Sequence, residues 1–166
     1  MRTEDERAYR EFAAVHLQTL QRPAYLLCGD WHTAQDLVQT ALLQMYAAWP
    51  RLGADVDRHA YARRVLVNAY ISSRRRHWWR REISTGVVVD VASVTADPAE
   101  RESQRLLLLS LPPRQRAVVV LRFWEDFSVE QTAQALGIAT GTVKSQTSEA
   151  LRTLRITITE QERSPS

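Results

Sequence analysis

Between Ser128 and Leu154 the chain sets a small residue, a glycine and a β-branched apolar residue at intervals that few folds can use. Ser128 is followed three residues later by Gln131, the pattern of a capping box, in which each side chain bonds the other residue's backbone N–H. A short helix from this box would end at Leu136, with Gly137 in the left-handed turn that closes it. Thr140 is placed to cap a second helix running through Leu151 and Leu154. Ala133 lies four residues before Gly137 and lets two helices approach closely; Val143, six residues after it, must be buried against the first helix. Two helices joined in this way form a helix-turn-helix.

The face left over on the second helix indicates what it does. With Val143, Thr147, Ala150, Leu151 and Leu154 turned inward, Thr140, Gly141, Lys144, Ser145, Ser148, Glu149 and Arg152 point outward. Thr142 and Gln146 flank that set. Short polar donors and cations suit phosphates and base edges in a major groove. A plain helical hairpin, in which Gly137 only ends a helix, explains none of this surface.

Upstream, apolar residues recur at three- and four-residue spacing, the period of amphipathic helices. Tyr9, Phe12, Ala13, His16 and Leu20 form one stripe. Val38, Leu42, Met45 and Trp49 form a second, on a helix expected to start at Thr33, with Thr33–Asp36 as its capping box, and to stop at Pro50. Ala62, Val65, Leu66, Ala69 and Tyr70 form the third, on a helix from about Arg58 to Arg81. A later helix is expected from Pro113 to about Trp124, with Pro113 in its first turn. The fold class is therefore all-α, in two small helical domains: residues 1–82 and residues 105–160. Between them residues 83–104 are expected to be an extended acidic linker. Val87–Val91 could make a short strand, but a lone strand has nothing to pair with. Residues 161–166 are expected to be a disordered tail.

Charge follows the same division. Residues 1–82 hold 13 arginines against nine acids, residues 83–104 one arginine against four acids, and residues 105–166 eight basic groups against six acids. Two basic blocks around an acidic one point to two nucleic-acid-facing modules. Arg74-Arg75-Arg76-His77-Trp78-Trp79-Arg80-Arg81 ends the first block. Adjacent tryptophans cannot share one helical face, and arginines beside exposed aromatics suit phosphates and unstacked bases.

Other classes are disfavoured. The charged N-terminus lacks a signal-peptide core and no apolar run is long enough to span a bilayer, so a cytoplasmic protein without membrane insertion is expected. Cys28, the single cysteine, reads as a buried inert thiol. His16, His32, His59 and His77 lack paired metal-ligand spacing and read as surface or interface residues; no metal or cofactor is expected. An enzyme acting on nucleic acid would need a carboxylate cluster or an activated nucleophile. Asp36, Asp55 and Asp57 are the only candidates near the basic face, with no His or Cys to complete a set, so the chain is not read as an enzyme.

Asp36-Leu37-Val38-Gln39-Thr40-Ala41-Leu42-Leu43 with Tyr46 and Trp49-Pro50-Arg51, then Tyr61–Asn68 running into Arg74–Arg81, then Leu111–Arg116 through Phe123-Trp124 and Gly141-Thr142-Val143-Lys144-Ser145, together resemble one family in order and spacing. It is the extracytoplasmic-function group (group 4) of sigma-70 RNA polymerase sigma factors, with Trp-Pro and Trp-Trp-Arg signatures similar to its actinobacterial, sigma-E-like branch. The resemblance implies a sigma region 2 bundle and a sigma region 4 helix-turn-helix. It implies core RNA polymerase (beta and beta-prime subunits) and promoter DNA as partners, with an anti-sigma factor as a regulatory one.

By the same resemblance Asp36, Leu37, Gln39, Thr40 and Leu43 would meet the polymerase clamp. Tyr61, Arg64, Asn68, Arg74, Arg75, Arg76, Trp78, Trp79 and Arg80 would engage the −10 element. Asn68 would meet an extruded base, with the loop Arg51–Asp57 helping to choose it. Thr140, Gly141, Thr142, Lys144, Ser145, Gln146, Ser148, Glu149 and Arg152 would read the −35 element. Where relatives commonly carry arginines just after the residue matching Ser145, this chain has Gln146 and Glu149. The acidic linker, through Asp90, Asp97, Glu100 and Glu102, would thread near the path of nascent RNA. The competing reading is a stand-alone helix-turn-helix regulator, which leaves the clamp-like segment and the arginine-tryptophan run unexplained.

Overall fold

In the computed structural model the described residues are 2–80 and 97–164, and for residues 75–80 the backbone alone. They contain helices and turns and no strand. The chain divides into two compact units, Met1–Val88 and Val89–Ser166. The basic segment beyond Arg80 and most of the expected linker, with its Val87–Val91 stretch, fall outside the described residues.

Unit 1 holds four helices: α1 (Thr3–Thr19), α2 (Gln21–Cys28), α3 (Trp31–Ala48) and α4 (Arg58–Arg80). Three were expected. The extra break arises at Pro23, which has no N–H to donate and whose ring would collide with the carbonyl four residues back. Leu20, fully buried, is the hinge residue between α1 and α2. Gly29 closes α2 at φ 73°, where any side chain would be strained, and Asp30 opens α3 by accepting from the Thr33 backbone and hydroxyl. The expected start at Thr33 is thus corrected to Trp31: Asp30 is the cap and Thr33 the residue it bonds. Pro50 does not stop α3 at once, because a 3-10 turn at Trp49–Arg51 carries it.

The core is made by the expected stripes with their neighbours. Leu27, Val38, Met45, Leu66 and Tyr70 are almost completely buried. Val65 and Leu42 are only half-buried, and Leu37 and Val67 take the deeper places. Trp49, 3% exposed, meets the rings of Tyr9 and Phe12, and the Arg58 guanidinium lies over it at 4.3 Å. His16 stacks on Phe12 and lies 3.3 Å from His59 Nδ1, so this histidine pair ties α1 to the start of α4.

Unit 2 holds α5 (Pro98–Leu109), α6 (Pro113–Val119), α7 (Val129–Leu136) and α8 (Thr140–Arg163). α5 starts inside the segment expected to be linker. Asp97 caps it, Pro98 occupies its first turn, Glu100 lies in that turn and Glu102 pairs with Arg105 at 2.9 Å. Of the four acids assigned to the linker, Asp97 and Glu100 therefore stand at a helix start and Glu102 pairs within that helix, while Asp90 falls outside the described residues. α6 does not run evenly to Trp124: it widens at Val120–Trp124 into a π turn. Asp126, at φ 55°, then redirects the chain toward Ser128. α8 continues through Arg163, so the expected tail is helical for three of its residues.

Candidate nucleic-acid interface

The helix-turn-helix assembles as its residues require. Ser128 Oγ accepts from Gln131 N at 3.0 Å and Gln131 Oε1 accepts from Ser128 N at 2.8 Å, completing the capping box of α7. Gly137 sits at φ 66°. Val118 of α6, Ala133 of α7 and Val143 of α8 pack into one buried cluster, edged by Val129, Leu136 and Ile138. Three helices thus meet on one small tripod, which fixes the direction of α8.

On α8 the inward set is Val143 and Ala150, both fully buried, with Thr147, Leu151 and Leu154 half-buried. Thr140, Gly141, Thr142, Lys144, Ser145, Ser148, Glu149 and Arg152 are all exposed. Gln146 departs from the set. It is half-buried, and its amide oxygen is turned inside without a hydrogen-bond partner among the described residues. A Cβ placed on Gly141 would meet nothing within 4 Å, so packing inside the protein does not explain that glycine. Thr140 is the first helical residue rather than the cap; Ala139 holds the cap position and has no side chain able to accept. Among the described residues the cap position therefore supplies no side-chain acceptor to the first N–H groups of α8, which suits them to an outside acceptor.

Glu149 is less free than the sequence suggested. Gln115 Nε2, on α6, donates to Glu149 Oε2 at 3.3 Å across 34 residues of sequence. Nothing periodic in the sequence links these positions, so sequence reasoning missed Gln115. Arg116 beside it is 4% exposed, and its guanidinium donates to the carbonyls of Leu108 and Leu111 at 2.8 and 2.9 Å. It caps the end of α5 from inside.

In unit 1 the clamp-matching residues sit on α3. Asp36, Gln39 and Thr40 are exposed and Leu43 is 70% exposed, a large apolar side chain in water. Leu37 is 6% exposed and faces the core, so its side chain is not available on that surface. On α4 Arg64, Asn68 and Arg74 are exposed and Tyr61 is half-buried. Tyr61, Arg64 and Asn68 follow one another at helical spacing along one side. The backbone of α4 carries Arg75, Arg76, Trp78, Trp79 and Arg80, whose side chains lie outside the described residues.

Of the clamp-matching residues, Asp36, Leu37 and Thr40 share with Asn68 a groove of about 260 Å³ between α3 and α4. Asp36, Thr40 and Gln44 line one wall and Asn68, Ser72 and Ser73 the other. Cys28 also lines it, half-buried rather than sealed in the core as expected. In the Arg51–Asp57 loop, Asp57 accepts from Ala60 N at 3.1 Å and so opens α4. No group of three metal-ligating side chains and no helix long and apolar enough to cross a membrane occur among the described residues.

Two family models match this chain: sigma-70 region 2 over residues 12–80 and sigma-70 region 4 over residues 102–154. It is 41% identical to the RNA polymerase sigma-E factor of Streptomyces avermitilis over 155 residues, covering 89% of this chain and 83% of that one. It is 37% identical over 161 residues to the ECF RNA polymerase sigma factor SigL of Mycobacterium tuberculosis, covering 92% and 87%. Among solved structures, the sigma factor RpoE of Bartonella quintana, in complex with the anti-sigma factor NepR, superposes with a TM-score of 0.73 over 92% of this chain and 97% of that one. At 23% identity that match speaks for the fold alone. With both regions present in order, and relatives of this identity spanning most of its length, the chain belongs to the sigma-70 family of RNA polymerase sigma factors, in the extracytoplasmic-function group.

Proposed function

We propose that this sigma factor binds core RNA polymerase through α3, engages the −10 element along α4 and sets α8 into the major groove of the −35 element. The observation that carries the proposal is the division of α8 into a buried face on the tripod and an outer face of eight exposed, mostly polar or cationic residues. Lys144 and Arg152 supply charge for phosphates, and Ser145 and Ser148 supply short donors for base edges. Gly141 and the open N–H groups beside it let the backbone itself approach a phosphate.

On α3, Leu43 with Asp36, Gln39 and Thr40 forms an apolar centre within a polar rim, the composition of a protein-binding surface. Leu37 supports that surface from beneath. On α4, Asn68 offers both a donor and acceptors to an extruded base, whose unstacking costs a few kcal/mol that the contacts must offset. The work would take place in the cytoplasm, where polymerase and chromosome are, and an anti-sigma factor covering these faces would hold the protein inactive.

The test is co-elution with core polymerase. Wild-type protein is expected to co-elute, and Leu43→Asp to be lost from the complex while remaining folded. Co-elution of both alike would remove α3 as the docking surface. Failure of the wild type to co-elute, together with tight binding to duplex DNA alone, would favour a stand-alone regulator.

A further inference from the structure

A carboxylate on the DNA-facing side of α8 is an anomaly, because phosphates repel it. Glu149 shares its face with Ser145, four residues before it, and Arg152, three after it. A glutamate free to move would swing away from DNA into solvent. This one is held, since Gln115 Nε2 donates to Oε2 at 3.3 Å. The amide of Gln115 has its oxygen turned inside, without a hydrogen-bond partner among the described residues. The opposite orientation would set that oxygen against a carboxylate, acceptor against acceptor, so the presence of Glu149 fixes which end of the amide faces it. Glu149 keeps a second oxygen, Oε1, for an outside donor.

We infer that Glu149, positioned by Gln115, reads a cytosine amino group in the −35 element of this sigma factor's promoters. The inference rests on α8 being the major-groove helix. An acceptor-only group discriminates sharply there. Guanine presents N7 and O6, both acceptors; thymine presents O4 and a methyl group; adenine sets N7 beside its amino group. Cytosine alone offers a donor with no acceptor of its own beside it. Lys144 and Arg152 offset the repulsion between Glu149 and the neighbouring phosphates. Holding the carboxylate before DNA arrives removes part of the ordering cost of the contact. Gln115 is thus a positioning residue for a specificity contact.

The experiment uses the full chain with core polymerase on promoters randomised across the −35 element, with the transcribed promoters sequenced. Wild type is expected to enrich cytosine at one position by about fivefold, the lower end for a base contact. Glu149→Gln gains a donor and is expected to move that one position toward adenine. Gln115→Ala should blunt the cytosine preference at the same position and leave the other positions unchanged. Wild type enriching a −35 motif in which no position changes in Glu149→Gln would overturn the inference while leaving the role of α8 intact. An even loss of transcription in Gln115→Ala, with the preference kept, would reduce Gln115 to a tie between helices and overturn its part. No −35 motif with wild type would overturn the reading of α8 itself.

Discussion

Arg116 takes a full charge to 4% exposure, where an unpaired guanidinium would be prohibitive. Its partners include the carbonyls of Leu108, Leu109 and Leu111, where α5 ends and the chain turns into α6; the Leu108 oxygen also accepts from the Leu111 backbone N–H at 3.1 Å. Replacing Arg116 with Met keeps the volume, removes a buried donor from all three carbonyls and leaves Leu108 with its backbone donor alone. The expected cost is about 2 kcal/mol or more of unit 2 stability, read by urea denaturation and by faster amide exchange in α5 and α6. An unchanged midpoint would show that water replaces the guanidinium. Asp30 is the corresponding cap in unit 1. Its carboxyl is held below the usual carboxylate range, first by the Thr33 hydroxyl and then by the backbone N–H groups of Thr33 and His32. A lowered value means stability that is present above the ordinary carboxylate range and lost as pH falls through the folded-state value. Asp30→Asn should therefore be less stable than wild type near neutrality, and the difference should close below about pH 4. A gap that stays constant in acid would exclude the charged cap.

At the scale of elements, the turn between α7 and α8 depends on one backbone conformation. Gly137 has φ 66° and open space around the position of a Cβ, so Gly137→Ala meets strain without collision. The expected loss is about 1 kcal/mol, measured by thermal denaturation, with α8 keeping its place on Val118 and Ala133. A loss of several kcal/mol would mean that the tripod itself had shifted. This element was almost fully legible in the sequence: Ser128, Gln131, Gly137 and Val143 act locally, and local spacing is what a sequence displays. The break at Pro23 was equally local, yet the apolar residues on both sides continue the pattern and hid it. Gln115 and Glu149 lie far apart in sequence, and only the packing of α6 on α8 joins them. The groove beside Asn68 has the same origin, since residues of α3 and α4 must first be set side by side. The linker was drawn too far, to residue 104, because the charge of Asp97, Glu100 and Glu102 was counted before the helix-starting pattern of Asp97 and Pro98 was considered.

At the scale of the whole molecule, two units answer to two sigma regions, and each presents one helix whose outer face its own core leaves uncovered. α3 exposes Leu43 above buried Leu37, and α8 exposes Lys144 and Arg152 above buried Val143 and Ala150. A division of labour follows. Leu43→Asp should abolish polymerase-dependent transcription from all promoters alike, whereas Lys144→Ala should weaken it in proportion to each promoter's dependence on the −35 element. The most direct test is run-off transcription from a genomic promoter library, using core polymerase from a related bacterium with and without this protein. Protein-dependent transcripts sharing two upstream motifs, about one and a half to two DNA turns apart, are expected. No stimulation and no association with core polymerase, alongside tight binding of the protein alone to duplex DNA, would contradict it.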